Sequence, residues 1–388
     1  MRKNIASDAN HIGWLDGLRG VAAVWVFLSH VQILSGLGYV PVLSWGGIAV
    51  DLFMMLSGFL MAHHYVLRQH AEPWGQPSTW GIFWIRRWFR IAPLYYFLLL
   101  IALYFAPTLG KFRAAIAIVW PQTATQPDRY LDQDFNNILI HLSFLFGLVP
   151  NYAFRTPLPD WSIGLEMQFY LVFPFFMIAI KHLGKIKFGF FLVVGCLGVE
   201  FLFKEFFRSF EMPAFLPMKL YIFIIGIWAA LSRNNKQPGG MMIPLTVSIV
   251  ICLVPCIRSR AVEDFGRIIL ILGFFYFMSD GTLPSVRVFD TFINWLRKIF
   301  STKPSMLLGD ASYGFYLIHL LFLVPVAGVL VQQPAYLGFP GFLRFSICAL
   351  LAGPISMLIS LLLHRLIELP AVNSGKKFLS IFIYHYQQ

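Results

Sequence analysis

Long apolar stretches, separated by short polar segments, run along almost the whole sequence. Because a helix needs roughly 20 mainly apolar residues to cross a bilayer, this pattern predicts about ten membrane-spanning helices. The segment 136–150 is too short for an ordinary span and carries His141, so we expect an interfacial or re-entrant helix there. The pattern therefore predicts an all-α, polytopic integral membrane protein. The predicted spans are residues 14–34, 43–64, 88–106, 163–180, 188–203, 215–231, 241–257, 266–280, 305–331 and 342–366.

The composition agrees with this fold class. Of the 388 residues, 58% are hydrophobic and 12% are charged, and the mean hydropathy is +0.70. This is more apolar surface than a soluble domain needs. A signal peptide is not expected, because Asp16 and Arg19 interrupt the first apolar stretch. The cysteines all lie in or beside apolar stretches, which favours buried hydrophobic residues over a disulfide framework or a metal site; they are Cys196, Cys252, Cys256 and Cys348.

The distribution of charge predicts the topology. The formal net charge is +12, and most of the 30 Lys and Arg residues fall on the side of the membrane that holds the N-terminus. The positive-inside rule therefore places both termini in the cytoplasm. Membrane lipids and topology account for the charge, so no nucleic-acid partner is expected. The chain ends soon after the last predicted span, which leads us to expect a single membrane domain over residues 1–388 without an appended soluble domain.

An arginine and a histidine lie inside the first predicted span. Arg19 and His30 are eleven residues apart, or about three helical turns, so their side chains share one helix face at a separation of roughly 16 Å along the axis. Ionisable residues at membrane depth are costly and usually mark a function. A cation near one end of the helix and an imidazole far deeper indicate a site for an anionic substrate. The anionic group of this substrate would be anchored at the membrane surface, and its reactive end would reach inward.

Six segments of the sequence carry a family resemblance through their order and spacing. They are LDGLRG at 15–20 with SH at 29–30, GGIAVDLF at 46–53 with LSGF at 56–59, RRWFRIAPLY at 86–95, WSIGLEMQFY at 161–170, SYGFYLIH at 312–319 and IELP at 367–370. Together they resemble the acyltransferase-3 family of membrane acyltransferases, which includes bacterial O-antigen, exopolysaccharide, peptidoglycan and Nod-factor O-acetylases. The resemblance covers about residues 12–372.

The resemblance implies a ten-helix bundle in the bacterial inner membrane. Such a bundle would move an acyl group, commonly acetyl from cytoplasmic acetyl-CoA, to a hydroxyl group of an extracytoplasmic glycan. The family's Arg-ten-residues-His motif maps onto Arg19 and His30, and its Arg-x-x-Arg motif maps onto Arg87 and Arg90. Many relatives carry a second acidic residue where this chain has Met167, which leaves one carboxylate in that segment.

Catalytic and donor-binding roles follow from residue chemistry. His30 is predicted to act as a general base on the acceptor hydroxyl, since imidazole titrates near neutrality; a covalent acyl-imidazole and a purely structural histidine are alternatives. The three arginines of the motifs are predicted to bind the phosphates of the donor, because guanidinium groups bind phosphate through two parallel hydrogen bonds. Positive-inside anchoring is the alternative for each of them: Arg19, Arg87 and Arg90.

Two carboxylates complete the predicted catalytic set. Glu166 is expected to orient His30 or to bind the acceptor sugar, and the alternative is a carboxylate favoured by the dipole at a helix N-terminus. Asp51 is a similar candidate, with simple pairing to an arginine as the alternative. Packing between helices is the alternative role for the predicted substrate-binding residues, which are Ser57, Tyr313, Tyr316 and His319.

Metal chemistry is not expected. His63 and His64 look like ligands, but adjacent side chains diverge on a helix and no carboxylate accompanies them in the sequence. Gly58, beside Ser57, is expected to allow a close approach of two helices.

The sequence thus predicts a membrane enzyme that transfers an acyl group from acyl-CoA to a carbohydrate or glycolipid acceptor at the outer face. A transporter or flippase for a glycan or a lipid-linked sugar is the rival hypothesis, although no inverted repeat or pair of broken helices is visible. A non-catalytic relative that acts in glycan export is the third. The sequence leaves the acceptor, the acyl chain and the oligomeric state open.

Overall fold

The computed structural model describes residues 12–386 except 236, 238, 254–260 and 285. This part of the chain is mostly helical and contains no β-strand, which confirms the predicted all-α class. The helices are α1 (Gly13–Leu34), α2 (Gly46–Arg68), α3 (Pro77–Val119), α4 (Asp128–Leu131), α5 (Phe135–Leu142), α6 (Trp161–Leu183), α7 (Lys185–Leu202), α8 (Lys204–Arg208), α9 (Leu220–Asn234), α10 (Met242–Leu253), α11 (Ala261–Met278), α12 (Arg287–Phe300), α13 (Lys303–Leu330), α14 (Pro334–Leu337), α15 (Gly341–Leu363) and α16 (Leu369–Tyr386).

Every predicted span overlaps a helix of this structure, and residues 254–257 of the predicted span 241–257 lie outside the described residues. Among the described residues, six helical segments are long and apolar enough to cross a bilayer: α1, α2, α3, α6, α13 and the continuous segment Gly341–Ile381. The other predicted spans fall on α7, α9, α10 and α11. These helices are shorter or less apolar, so the predicted count of ten spans is an approximation. The polytopic membrane fold is confirmed.

Helix α3 is much longer than its predicted span, 88–106. It has 43 residues, or about 65 Å at 1.5 Å per residue, which is about twice the roughly 30 Å thickness of the hydrocarbon core of a bilayer. The apolar pattern predicted only the central part of this helix, because arginines flank that part. Arg86 and Arg87 lie before it, and Arg113 lies after it.

The segment 136–150 forms a short helix and turns. Helix α5 is followed by a 3₁₀ turn at Leu145–Leu148. The His141 ring is buried, and its Nδ1–H donates a hydrogen bond to the Asn137 carbonyl oxygen at 2.8 Å. Because α5 has eight residues, it is too short to span a membrane. Its interfacial or re-entrant placement stays a prediction.

Helix α12 is amphipathic, and the sequence analysis did not predict it. It packs against the start of α1, where the Arg297 guanidinium lies 5.4 Å from the centre of the Trp14 ring. This arrangement is typical of a helix that lies in a membrane interface. Its exposed apolar residues are Val288, Phe289, Phe292 and Trp295.

The bundle has two ends, which we call the N-terminal face and the loop face. The N-terminal face holds the start of α1 and the end of α2, which line one cavity together. The loop face holds segments 120–160 and 203–219, which line another. His30 lies about one turn before the end of α1, toward the loop face.

Helices α2 and α9 touch closely through glycines. A Cβ atom at Gly58 would collide with the carbonyl oxygen of Phe223, and one at Gly226 would collide with the carbonyl oxygen of Met55. Helices packed in membranes commonly approach at small residues, because lipid provides no hydrophobic drive for their association. The predicted close approach at Gly58 is confirmed.

Replacing Gly226 by alanine should therefore destabilise the bundle. The extra methyl group must displace backbone, and overpacking of this kind costs about 1–3 kcal/mol. Thermal unfolding of the detergent-purified protein should show a lower midpoint for Gly226→Ala. The control is Gly195→Ala in α7, where a Cβ meets no atom within 4 Å and alanine favours the helix. Equal midpoints for the two variants would contradict the close packing.

Candidate active site

A positively charged cavity of about 160 Å³ opens at the N-terminal face. The structure brings the three predicted donor-binding arginines together in its wall. Two acidic residues, Asp16 and Glu166, also line it. The arginines come from two helices, α1 and α3, and they are Arg19, Arg87 and Arg90.

Aromatic residues and a hydrogen bond shape this cavity. The Arg87 guanidinium lies 5.7 Å from the ring centre of Phe83 and 5.6 Å from that of Tyr170, which is cation–π distance. The Tyr170 hydroxyl donates a hydrogen bond to Glu166. His63 and His64 also line the cavity.

The sequence analysis gave the two histidines and Tyr170 no role. The spacing of Tyr170 four residues after Glu166 was the signal available for the tyrosine, because residues at i and i+4 meet on one helix face.

A smaller inner cavity of about 40 Å³ lies next to the first. Arg19, Ser57 and Glu166 line both cavities. The Ser57 hydroxyl donates a hydrogen bond to Glu166 Oε1 at 2.7 Å. These three residues therefore form the partition between the cavities, and Glu166 is held by Ser57 and Tyr170. The described hydrogen bonds of Glu166 do not include His30, so the expected orientation of His30 by this carboxylate does not occur in this structure.

Two predicted substrate-binding tyrosines line the inner cavity. The Tyr313 hydroxyl donates to the Ile91 carbonyl oxygen at 2.9 Å. The Tyr316 oxygen lies 2.9 Å from the carbonyl oxygen of Pro159, to which its hydroxyl donates, and 2.7 Å from the Ser162 hydroxyl, which can donate to it in turn. Tyr316 therefore joins α13 to the start of α6.

His30 makes its side-chain contact with the other predicted histidine, His319. His319 Nδ1 lies 2.7 Å from the Tyr316 carbonyl oxygen, so this nitrogen carries the proton of a neutral ring and Nε2 is an acceptor. His30 Nδ1 lies 2.9 Å from the Val26 carbonyl oxygen and 3.2 Å from His319 Nε2. Because both neighbours are acceptors, His30 Nδ1 carries the proton, and the unprotonated nitrogen is His30 Nε2.

The histidine pair lies apart from the arginine cavity. Neither His30 nor His319 lines either of the two cavities at the N-terminal side. The structure thus groups the predicted site residues into an arginine cavity, an inner cavity with two tyrosines, and a histidine pair nearer the loop face.

Asp51 belongs to a separate buried ion-pair cluster. Its carboxylate is fully buried and accepts hydrogen bonds from Lys219 Nζ at 2.6 Å and from Arg267 Nε at 2.7 Å. Arg267 also pairs with Asp264 at 2.7 Å. The structure therefore gives Asp51 the pairing with an arginine that was its alternative role. Nothing in the sequence pattern singled out Lys219 or Arg267, which come from distant segments.

A buried carboxylate lies just before α6, outside the spanning helices. Asp160 Oδ2 accepts hydrogen bonds from the Thr156 hydroxyl at 2.7 Å and from the Tyr95 hydroxyl at 3.1 Å. Burial raises the pKa of Asp160 above its ordinary value. This network fixes the buried loop 156–160, which we call the α6 loop. The sequence analysis did not select Asp160.

In the described part of the chain, no group of three His, Cys, Asp or Glu residues is placed to hold a metal ion. Cys256, one of the cysteines considered in the sequence, lies outside the described residues.

Comparison with known proteins shows which family the chain resembles. A family model described as an acyltransferase domain matches residues 12–364. The chain is 23% identical over 353 residues to the peptidoglycan O-acetyltransferase OatA of Listeria monocytogenes, an alignment that covers 86% of this chain and 53% of OatA. It is 26% identical over 328 residues to the acyltransferase MdmB of Streptomyces mycarofaciens, which covers 79% of this chain and 78% of MdmB.

A putative O-acetyltransferase of Staphylococcus aureus (strain COL) is also similar. It is 24% identical over 413 residues, which cover 95% of this chain and 59% of the relative. The chain therefore spans little more than half the length of OatA and of this relative. No solved structure matches the chain.

Removing the charge of Asp51 should destabilise the protein. Asp51→Asn would remove the described anionic partner of Lys219 and one of the two of Arg267, and breaking a buried ion pair from one side costs about 3–5 kcal/mol. The matched control is Asp264→Asn, which removes another partner of Arg267 at a more exposed position and should cost about 1 kcal/mol or less. Unfolding in detergent with a chemical denaturant measures both. If Asp51→Asn kept full stability and lost only activity, the catalytic role predicted from the sequence would be favoured.

Proposed function

The chain belongs to the acyltransferase domain family, and on that premise we propose that it transfers an acyl group, most simply acetyl, from acyl-CoA to a hydroxyl group of a carbohydrate. The names of OatA and of the Staphylococcus relative as O-acetyltransferases support the acetyl group, and the name of OatA supports a glycan acceptor. Because the chain covers only part of these relatives, the activity is proposed for this chain on the basis of its own residues.

The arginine cavity is the observation that carries the proposal. Arg19, Arg87 and Arg90 converge there opposite two acidic residues, and guanidinium groups suit the phosphates of a nucleotide donor. We assign the phosphates of acyl-CoA to this cavity. The N-terminal face is then the cytoplasmic face of the bacterial inner membrane, which agrees with the excess of positive residues on the side of both termini.

The histidine pair supplies the base of the proposed reaction. With its proton on Nδ1, His30 presents Nε2 as a proton acceptor. Nε2 takes the proton of the acceptor hydroxyl as the oxygen attacks the thioester carbonyl, and a new ester C–O bond forms. The C–S bond breaks, and the imidazolium proton passes to the leaving CoA sulfur. His319 holds the ring of His30 in the required tautomer.

The partition residues lie between the two ends of the donor. Arg19, Ser57 and Glu166 separate the arginine cavity from the inner cavity, so the acyl end of the donor must pass them to approach His30. The hydrogen bonds from Ser57 and Tyr170 to Glu166 hold this passage narrow in the structure. We propose that the passage widens when the donor binds, with Ser57, Tyr313 and Tyr316 along the path.

Replacing Arg19 by lysine should weaken donor binding although the charge is kept. A compact ammonium cannot reproduce the paired hydrogen bonds of guanidinium to phosphate, and losing a charge-assisted bond of this kind costs roughly tenfold in affinity or more. Calorimetric titration of the purified protein with acetyl-CoA measures this. The control is Arg86→Lys, because Arg86 pairs with Glu72 and does not line the arginine cavity. Unchanged affinity in Arg19→Lys would assign Arg19 to topology alone.

Replacing His30 by alanine should abolish acyl transfer and leave donor binding intact. A general base typically contributes about 10²–10⁴-fold to the rate, and the phosphate site lies about three turns away. Transfer of labelled acetyl to cell-envelope glycans, followed by mass spectrometry, measures the loss, with the exposed His70→Ala as control. The wild-type rate should also fall on acidification, because a protonated imidazole cannot accept a proton.

Two results would change this proposal in different ways. Full glycan acylation in cells that carry only the His30→Ala protein would refute the enzymatic role of His30 and favour the transporter hypothesis. Labelled acyl-protein that persists in His30→Ala but disappears with another substitution would assign covalent chemistry to that other residue.

A further inference from the structure

We propose that a polar cavity on the loop face binds an uncharged sugar of the acceptor carbohydrate. The inference rests on the proposed function, and it names a binding site for the acceptor that is separate from the arginine cavity and the inner cavity. The cavity has a volume of about 570 Å³, within the about 300–1,000 Å³ that is typical of sites for small organic ligands.

The wall of this cavity suits hydroxyl groups. It includes the amides of Gln126 and Asn151, the carboxylates of Asp128 and Glu211, and the Ser209 hydroxyl. Amides both donate and accept hydrogen bonds, and carboxylates accept them, so the wall offers both kinds of partner to a polyhydroxylated ligand. Phe154 adds an aromatic ring. A concave site with one apolar surface and several polar groups fixes the orientation of its ligand.

The charge of the lining favours an uncharged ligand. The cavity holds two arginines, and both guanidinium groups are already engaged. Arg155 pairs with Asp128 at 2.9 Å and with Asp132 at 2.5 Å. Arg129 donates to the backbone carbonyl oxygen of Thr156 at 3.0 Å. A phosphate or carboxylate ligand would therefore have to break an existing pair and would face the acidic side chains of the wall.

Arg129 connects this cavity to the histidine pair. Its guanidinium is buried and lies 3.7 Å from the centre of the Phe154 ring. It is also close enough to act electrostatically on both His30 and His319. Arg129 thus lies in the wall of the cavity and within electrostatic range of the proposed base.

The α6 loop forms a second connection. Arg129 donates to its first carbonyl oxygens, at Thr156 and Pro157, and Tyr316 donates to the Pro159 carbonyl oxygen from the opposite side. Asp160 holds the same loop through Thr156. The loop therefore lies between the polar cavity and the inner cavity, and it fixes their relative position. A sugar bound on the loop face would meet the acyl group where it arrives from the N-terminal face.

The test uses two exposed amides of the wall, Gln126 and Asn151, which have no side-chain hydrogen bond in the described structure. Replacing both by alanine removes no described side-chain hydrogen bond. The matched control is the double variant Gln122→Ala and Asn136→Ala, which changes exposed amides of segment 120–160 that do not line the cavity. Full-length protein in lipid nanodiscs is used throughout.

Binding is measured by saturation-transfer difference NMR without donor. The probes are a panel of neutral disaccharides, including N-acetylglucosamine disaccharides, and the corresponding uronic acids. We expect at least one neutral probe to bind the wild type and the control, and to bind Gln126→Ala/Asn151→Ala roughly tenfold more weakly, as the loss of two hydrogen bonds implies. The uronic acids should bind no better than their neutral counterparts.

The outcomes separate this inference from the proposed function. One outcome is that a neutral probe binds the wild type but not the variant, and is not acetylated from acetyl-CoA. This would support the sugar site and refute the transferase function. Another outcome is that the probe is acetylated with the same KM by the variant and the wild type. This would support the transferase function and refute the sugar site. Tighter binding of uronic acids, or no binding of any probe, would also overturn the inference.

Discussion

Burying an ionic group in an apolar bundle is costly unless the group is paired, and this constraint brings several helices of the bundle together. Asp51 is fully buried and is compensated by Lys219 and Arg267. Glu166 is held by two hydroxyl groups, from Ser57 and Tyr170. Since an unpaired charge in a low-dielectric interior is very costly, these contacts tie α2, α6, α9 and α11 together. Glycine contacts between α2 and α9 then let the same helices approach closely.

The polar groups that remain are divided between the two ends of the molecule. Arginines line the cavity at the N-terminal face, and the unprotonated nitrogen of His30 lies three turns further along α1. This separation suits the proposed function, in which a donor and an acceptor arrive from opposite sides of the membrane. In that proposal the long donor would pass the partition between the cavities to approach His30.

The loop face adds a layer that does not cross the membrane. Helices α4 and α5, the turns after them and the α6 loop form one network through Arg129, Asp160 and Tyr95. Tyr316, on the helix that carries His319, donates a hydrogen bond to the α6 loop of this network. Loops commonly carry recognition while a rigid scaffold carries the chemistry. Here the loop layer is positioned by buried hydrogen bonds, so a ligand bound in it would have a defined place relative to His30.

The sequence alone located the apolar part of each predicted span and the residues on it, although it did not predict α12 or the full length of α3. Apolar length and period locate the spans, and the spacing of Arg19 and His30 puts both on one face, because these are local properties of the chain. Only the tertiary structure decided which faces meet. His30 pairs with His319 across 289 positions, and Ser57 binds Glu166 across 109. Asp51 meets Arg267 across 216 positions. Such pairs depend on which helices become neighbours, and no local pattern of one sequence encodes that choice.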